Sequence, residues 1–269
     1  MNLGRQNVLG VLIDAVDYEF VIDKILESAR ARKPLKVSFL ATHGVALASE
    51  SAHYLARLNT FDLNLPDGQP VRWGLLMHGV LLKDRVCGPD LVEKLLQAGR
   101  KVGLRVYFYG STNQAQELIR NKIEKDYSGI RFVGGKASRF RSVGPEERRA
   151  IIEEIRATEP DVVFVGLGCP LQENWVFENG DEIPAPCLAV GAAFSFLSGT
   201  LSRPHPFFRN IGLEWLHRLI QEPRRLFHRY FYFGGRFLVL AILQAFRIRK
   251  FPLPRPPSRP DDASPTWVA

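Results

Sequence analysis

The chain has 269 residues, enough for one large domain or one domain plus an appendage, and too short for three. Hydrophobic residues at 46% and charged residues at 24% exclude wholesale disorder and collagen-like repeats. The net charge of +8 is uneven: residues 203–250 hold ten Lys and Arg against Glu214 and Glu222, whereas 1–202 and 251–269 are each balanced, which predicts a polyanionic partner for that one segment.

Near the N-terminus only residues 8–13 form an apolar run. It is too short for a signal-peptide core or a membrane span, so a cytosolic location is expected. Tyr18, Val21, Ile22, Ile25, Leu26 and Ala29 follow helical spacing and predict a helix over 17–32. A buried strand is expected over 35–41, a helix over 44–58, and a short strand over 61–65 that ends in the turn Pro66-Asp67-Gly68. Helices follow at 69–78 and 90–100, then a strand at 104–109, a helix at 112–126, a strand at 130–133 and a helix at 146–157. The series closes with a strand at 161–165, a helix at 170–179 and a strand at 187–190. Strands separated by helices of this size imply βαβ units, so the fold class is α/β with a parallel sheet covered on both faces.

After residue 202 arginines and aromatics dominate, and Pro223 and Gly234-Gly235 divide 207–250 into about three short helices. The last apolar piece, 237–246, spans about 15 Å as a helix and cannot cross a bilayer. It is expected to lie in the membrane interface, aromatic side chains inward. Six prolines in 251–269 predict a disordered tail. The expected division is therefore a core over 1–202, a basic helical appendage over 203–250 and a tail over 251–269.

Ligands of open α/β sheets bind beyond the carboxyl ends of the strands. Those ends carry Thr42-His43-Gly44, Asp67-Gly68-Gln69, Gly110-Ser111-Thr112, Gly166-Leu167-Gly168 running on to Gln172-Glu173, and Gly191-Ala192-Ala193. Glycines before a helix admit an anion to backbone N–H groups and the helix dipole, so the Gly110 and Gly166/Gly168 turns suit a diphosphate. The competing reading is that they merely make tight turns. No G-x-G-x-x-G fingerprint or Walker loop is present, which weakens dehydrogenase and NTPase readings.

Asp67 is the best candidate general base: a carboxylate at a strand end, beside a glycine that leaves room for substrate. Alternatively it only forms the turn. Asp90 reads as a helix N-cap, and Arg85 either as a phosphate ligand or as one half of a surface ion pair. The six histidines show no metal-binding spacing, and three cysteines without a C-x-x-C pair argue against a disulfide framework or a Cys-built zinc site. No metal and no cofactor are expected. A leaving diphosphate would then need arginines; i+3 and i+4 spacing puts Arg225, Arg229 and Tyr232 on one helix face, with Arg224 beside them.

Five blocks occur in order: Leu65-Pro66-Asp67-Gly68; Asp84-Arg85-Val86-Cys87-Gly88-Pro89-Asp90-Leu91; 165–175, which contains Gly166-Leu167-Gly168-Cys169-Pro170-Leu171-Gln172-Glu173; Val190-Gly191-Ala192-Ala193-Phe194; and Gly212-Leu213-Glu214-Trp215-Leu216-His217-Arg218-Leu219. Through them the chain resembles the WecG/TagA/CpsF glycosyltransferases over roughly residues 8–233. The resemblance implies a Rossmann-like core with a C-terminal appendage that docks at the membrane. It also implies an inverting, metal-independent transfer from a UDP-sugar to a polyprenyl-diphosphate-linked glycan in bacterial cell-surface polysaccharide synthesis. By the same likeness the enzyme sits peripherally on the cytoplasmic face of the plasma membrane.

By position, the resemblance makes Asp67 the base, Thr42 a pocket threonine and Arg85 a residue at the reacting groups. Gly110, Ser111, Gly166, Gly168, Gln172 and Glu173 become candidates for substrate binding, and Arg218, Arg224 and Arg225 fall in the appendage that supplies arginines to the diphosphate. Two departures bear on the donor sugar: Thr42-His43-Gly44 replaces a frequent Thr-x-Asn, and Phe194-Ser195-Phe196 replaces Phe-Asp-Phe. The rival class is a non-enzymatic basic module that binds membrane or nucleic acid through 203–250. A neutral α/β core with five substrate-facing turns would then be idle, so no nucleic-acid partner is expected. Homo-oligomerisation is left open by the residues.

Overall fold

A computed structural model describes residues 1–138, 143–202 and 214–255. The chain opens with a hairpin that hydrophobic periodicity did not reveal. Strands β1 (Asn2–Val8) and β2 (Val11–Val16) pair antiparallel down to Val8 and Val11. The two turn residues, Leu9 and Gly10, have φ of 54° and 89°, the sign that a tight two-residue hairpin turn demands at both places. Asparagine or aspartate usually announces such a turn. Here Leu9 takes the place because its side chain is fully buried, and burial worth about 1.5–3 kcal/mol outweighs a left-handed cost of about 1–2.

The expected alternation follows. Helix α1 (Tyr18–Arg30) starts at Asp17, whose carboxylate accepts from the Phe20 N–H, and leads to β3 (Leu35–Leu40). The single helix expected over 44–58 is two: α2 (Thr42–Ala48) and α3 (Ala52–Leu58), broken where Ser51 caps the second by accepting from the Tyr54 N–H. Then come β4 (Leu63–Pro66), α4 (Gln69–Met77), α5 (Gly88–Gly99), β5 (Arg105–Gly110), α6 (Asn113–Asp126) and β6 (Arg131–Lys136). The core closes with α7 (Pro145–Ala157), β7 (Val162–Gly166), α8 (Leu171–Asn179), β8 (Pro186–Ala189) and the short α9 (Ala193–Leu197).

The six strands from β3 to β8 form one sheet in the order β4-β3-β8-β7-β5-β6. Every pairing in it is parallel. Alternate residues supply the two faces: Val106, Phe108, Phe164 and Leu188 pack on the side of α1, α5 and α6. Tyr107, Tyr109, Val163, Val165 and Ala189 pack on the side of α7 and α8. The chain moves outward from β5 to β6 but the opposite way from β7 to β8. The carboxyl ends of β5 and β7 therefore flank a switch point, where ligands of open α/β sheets bind.

In the appendage, α10 (Glu214–Gln221) and α11 (Pro223–His228) lead through a π-helical turn at Arg229–Phe233 into α12 (Gly234–Ala245). Among the described residues no helix is long and apolar enough to cross a membrane. Phe237 departs from the expectation of lipid contact: it is fully buried, with Leu240 and Ala241, in a cluster that also holds Val8, Leu9 and Val45. Gln244 fastens the contact, its Oε1 accepting from the Leu9 N–H and its Nε2 donating to the Asn7 carbonyl, both at 2.9 Å. The opposite face of α12 leaves Val239, Ile242 and Phe246 exposed. Arg203, Arg209, Phe207, Phe208, Gly212 and Leu213 lie outside the described residues, as do 256–269 of the tail expected to be disordered.

Candidate active site

Strands β3 and β4 end in register, Leu40 opposite Pro66. One residue past that pair, the Asp67 N–H donates to the Leu40 carbonyl at 3.1 Å, and two residues past it Thr42 opens α2. The sequence therefore brings Asp67 and Thr42 together at one strand end, each half-buried. The loop that carries Arg85 closes over the same place. Burial pushes the Cys87 thiol well up, the nearby Asp67 carboxylate adds to the rise, and Arg85 opposes it. Asp67, Arg85 and Cys87 thus share one electrostatic neighbourhood. Asp90 is not the cap: Cys87 precedes α5, and the Asp90 carboxylate instead accepts from the Cys87 thiol at 2.8 Å.

The glycines separate into two kinds. Gly110 has φ of 123°, and a side chain there would put its Cβ 2.3 Å from the Gly166 carbonyl oxygen. A Cβ on Gly166 would meet the Phe194 ring at 2.6 Å. Both glycines sit where strand-end packing leaves no room for a side chain. Alanine at 110 should cost roughly 2–6 kcal/mol from backbone strain and overpacking together. Urea unfolding of Gly110→Ala measures that loss. Gly168 differs: its φ is 84°, it is exposed, and nothing lies within 4 Å of its Cβ direction. Here open space faces the strand ends.

Gln172 explains how that loop is held. Its Nε2 donates to the Ala189 carbonyl and to Glu173, and its Oε1 accepts from the Gly168 N–H at 3.1 Å. The bonds to Gly168 and Ala189 join the β7 loop to the end of β8. Ser111, at φ of 60°, donates its N–H to the Gly166 carbonyl at 3.2 Å and ties β5 to the same loop. Asp67 follows β4 and Gly168 follows β7, three strands away, so about 14 Å separates them at ordinary strand spacing. That span suits an elongated ligand laid across the sheet edge.

The appendage reaches this edge. The Arg218 guanidinium stacks 5.7 Å from the Phe196 ring centroid on α9, which follows β8. Arg224 is exposed on α11, and Arg225 belongs to the same helix. An unexpected contact lies beside them. Arg229 donates from Nη2 to Nδ1 of His43 at 2.9 Å, and the His43 ring meets Phe233 edge-on at 4.6 Å.

Beneath this contact lies Glu173, 2% exposed. Burial pushes its carboxyl from an ordinary 4.5 up to about 7, against the pull of Gln172, Arg229 and Cys169. Burial, with Arg229 and His228 adding to it, holds His43 down at about 4 rather than 6.5. The signs oppose. Folding tightens the hold on the Glu173 proton, so its contribution to stability is lost as pH rises from 4.5 through 7. Folding expels the His43 proton, so that contribution is lost as pH falls from 6.5 through 4. Glu173→Gln leaves only the second. Between pH 4.5 and 6.5 its stability should climb relative to the wild type by up to ~1.4 kcal/mol per pH unit. Denaturant titrations across that range read the difference.

Comparison with known proteins decides the family. The profile of the glycosyl transferase WecG/TagA/CpsF family matches residues 6–251. The chain belongs to that family. It is similar to an enzyme of Bacillus spizizenii strain W23, 31% identical over 179 residues that cover 66% of this chain and 68% of the relative. A Staphylococcus aureus strain MW2 relative is 23% identical over 229 residues, which cover 84% of this chain and 88% of that one. Both relatives are N-acetylglucosaminyldiphosphoundecaprenol N-acetyl-β-D-mannosaminyltransferases. As a WecG/TagA/CpsF member the chain is a glycosyltransferase, and its parallel α/β core agrees with the fold its motifs implied.

Proposed function

We propose that this glycosyltransferase moves a sugar from a UDP-sugar onto a glycan carried by a polyprenyl diphosphate, in bacterial cell-surface polysaccharide synthesis. The observation that carries the reading is the shared neighbourhood of Asp67, Thr42 and the Arg85 loop at one end of a sheet edge whose open Gly168 loop lies three strands away. In this reading residues 1–202 hold the donor across the strand ends, diphosphate toward the Gly168 loop. Asp67 takes the proton of the acceptor hydroxyl as that oxygen attacks the anomeric carbon opposite UDP, so the configuration inverts. The C–O bond to UDP breaks as the new one forms, and negative charge grows on the leaving diphosphate. Arg218, Arg224 and Arg225 offset that charge, a stabilisation realised mainly in the transition state. The reading assigns the neutralising charge to arginines and needs no metal ion.

Residues 203–250 complete the site and rest on the cytoplasmic face of an anionic membrane. Supporting this, Ile220, Phe227, Phe231 and Phe246 are each more than half exposed on the same segment that holds the excess cations. Each cation near an anionic leaflet contributes about 1 kcal/mol. The donor sugar is the finest part of the proposal. At Gly44 a Cβ would point at Leu40, Cys169 and Tyr54, 3.3–3.8 Å away, so the amide frequent in the family has no counterpart here. The test is a panel of UDP-sugars, N-acetylmannosamine included, offered with a polyprenyl-diphosphate glycan on anionic vesicles. Transfer of one sugar, dependent on vesicle charge, is expected. Failure of every donor to react would overturn the reading.

A further inference from the structure

The contact between His43 and Arg229 joins residues 186 positions apart. One lies in the core at the start of α2, next to the candidate pocket residue Thr42; the other lies in the appendage, just after α11. Among the described residues Glu173 Oε2 is buried without a hydrogen-bond partner. A half-satisfied carboxyl in the interior is costly, and such groups persist where they serve a second state or a partner. The groups that face it are Gln172 from its own helix, Cys169 from the preceding loop, Tyr54 from α3 and Arg229 from the appendage. His43 is faced by Arg229 and His228. Among the described residues Arg229 is the one cation that acts on Glu173, Cys169, Tyr54 and His43 together.

We propose that His43 and Glu173 are positioning residues: together they form a polar seat in the core that holds Arg229 and thereby fixes the appendage over the strand ends. The seat works by two different interactions. His43 must be neutral, because only then does Nδ1 carry the lone pair that accepts from the guanidinium. Burial ensures this down to about pH 4. Glu173 lies below it with Oε2 buried and unpartnered, and as an anion it attracts Arg229. The catalytic carboxylate is elsewhere, at Asp67, so the seat acts on alignment and not on the chemistry.

This inference rests on the proposed transfer reaction only for its kinetic consequences; the seat itself is testable without them. The first measurement is hydrogen exchange on the full chain, comparing protection of amides 229–245 with those of β5 and β7. His43→Phe keeps a ring against Phe233 but removes the acceptor, and should lower protection across 229–245 at least tenfold while the sheet stays unchanged. His43→Gln restores an acceptor and should recover most of it. Arg229→Met approaches the contact from the appendage side and should match His43→Phe. With an active donor and lipid acceptor, His43→Phe should lower kcat about tenfold and leave the donor KM unchanged. Wild-type protection of 229–245 in both His43→Phe and Arg229→Met would overturn the seat. A wild-type protein that transfers no sugar would overturn the proposed reaction and leave the exchange result standing.

Discussion

Asp67→Asn should lower turnover by about 10²–10⁴-fold, the contribution typical of a positioned general base, with little change in stability. The side chain is nearly isosteric, and the backbone hydrogen bonds of this position do not depend on it. The Asp67 N–H donates to the Leu40 and Leu65 carbonyls, bonds that asparagine keeps. Because proton abstraction belongs to the transition state, kcat should fall while the donor KM holds. Initial-rate kinetics with the reactive UDP-sugar and the lipid acceptor measure both constants. An unchanged kcat would show that Asp67 is a turn former alone.

Phe237→Ala should cost about 3–5 kcal/mol of stability, the usual range for deleting a buried phenylalanine ring. Phe237 is fully buried, and the position where a Cβ on Gly74 would sit is only 3.4 Å from its ring tip. Helix α4 thus lies against α12 at Gly74. The cavity would open between hairpin, α2, α4 and α12, which share that cluster. Guanidinium unfolding gives the loss directly. The exposed Phe246, 75% accessible at the C-terminal end of the same helix, serves as the comparison: its alanine variant should stay within about 0.5 kcal/mol of wild type and lose vesicle affinity instead.

The sheet was legible because buried parallel strands are continuous apolar runs and their helices carry a 3.6-residue stripe; both patterns are local. The hairpin escaped because Leu9-Gly10 lacks an asparagine or aspartate and reads as the middle of one apolar run. The break between α2 and α3 escaped because Ser51 caps a helix inside an unbroken periodic pattern. For α12 the composition could not tell which residues face the core: an apolar face looks the same whether it meets lipid or Val8 and Leu9. Within the candidate site, Asp67 and Gly168 stand out by their places after strands and before helices, and Arg85 only through its motif. The pairing of His43 with Arg229 does not stand out, since no periodicity links two residues in different parts of the chain. Nor could the sequence tell that Gln172 spends its amide inside the protein, because that depends on β8 lying beside β7.

The hairpin is bound to the far end of the chain: the Leu9 amide finds its acceptor on Gln244. During translation the first strands emerge long before the helix that covers them. At about 5–20 residues per second the wait is roughly 10–50 s. Throughout that interval the apolar side of the nascent hairpin has no native cover, and hairpin and α12 can engage only once the ribosome has delivered both. Synthesis of residues 237–245 is therefore the step that allows this cluster to close, and a ribosome stalled before residue 237 would display it unsealed.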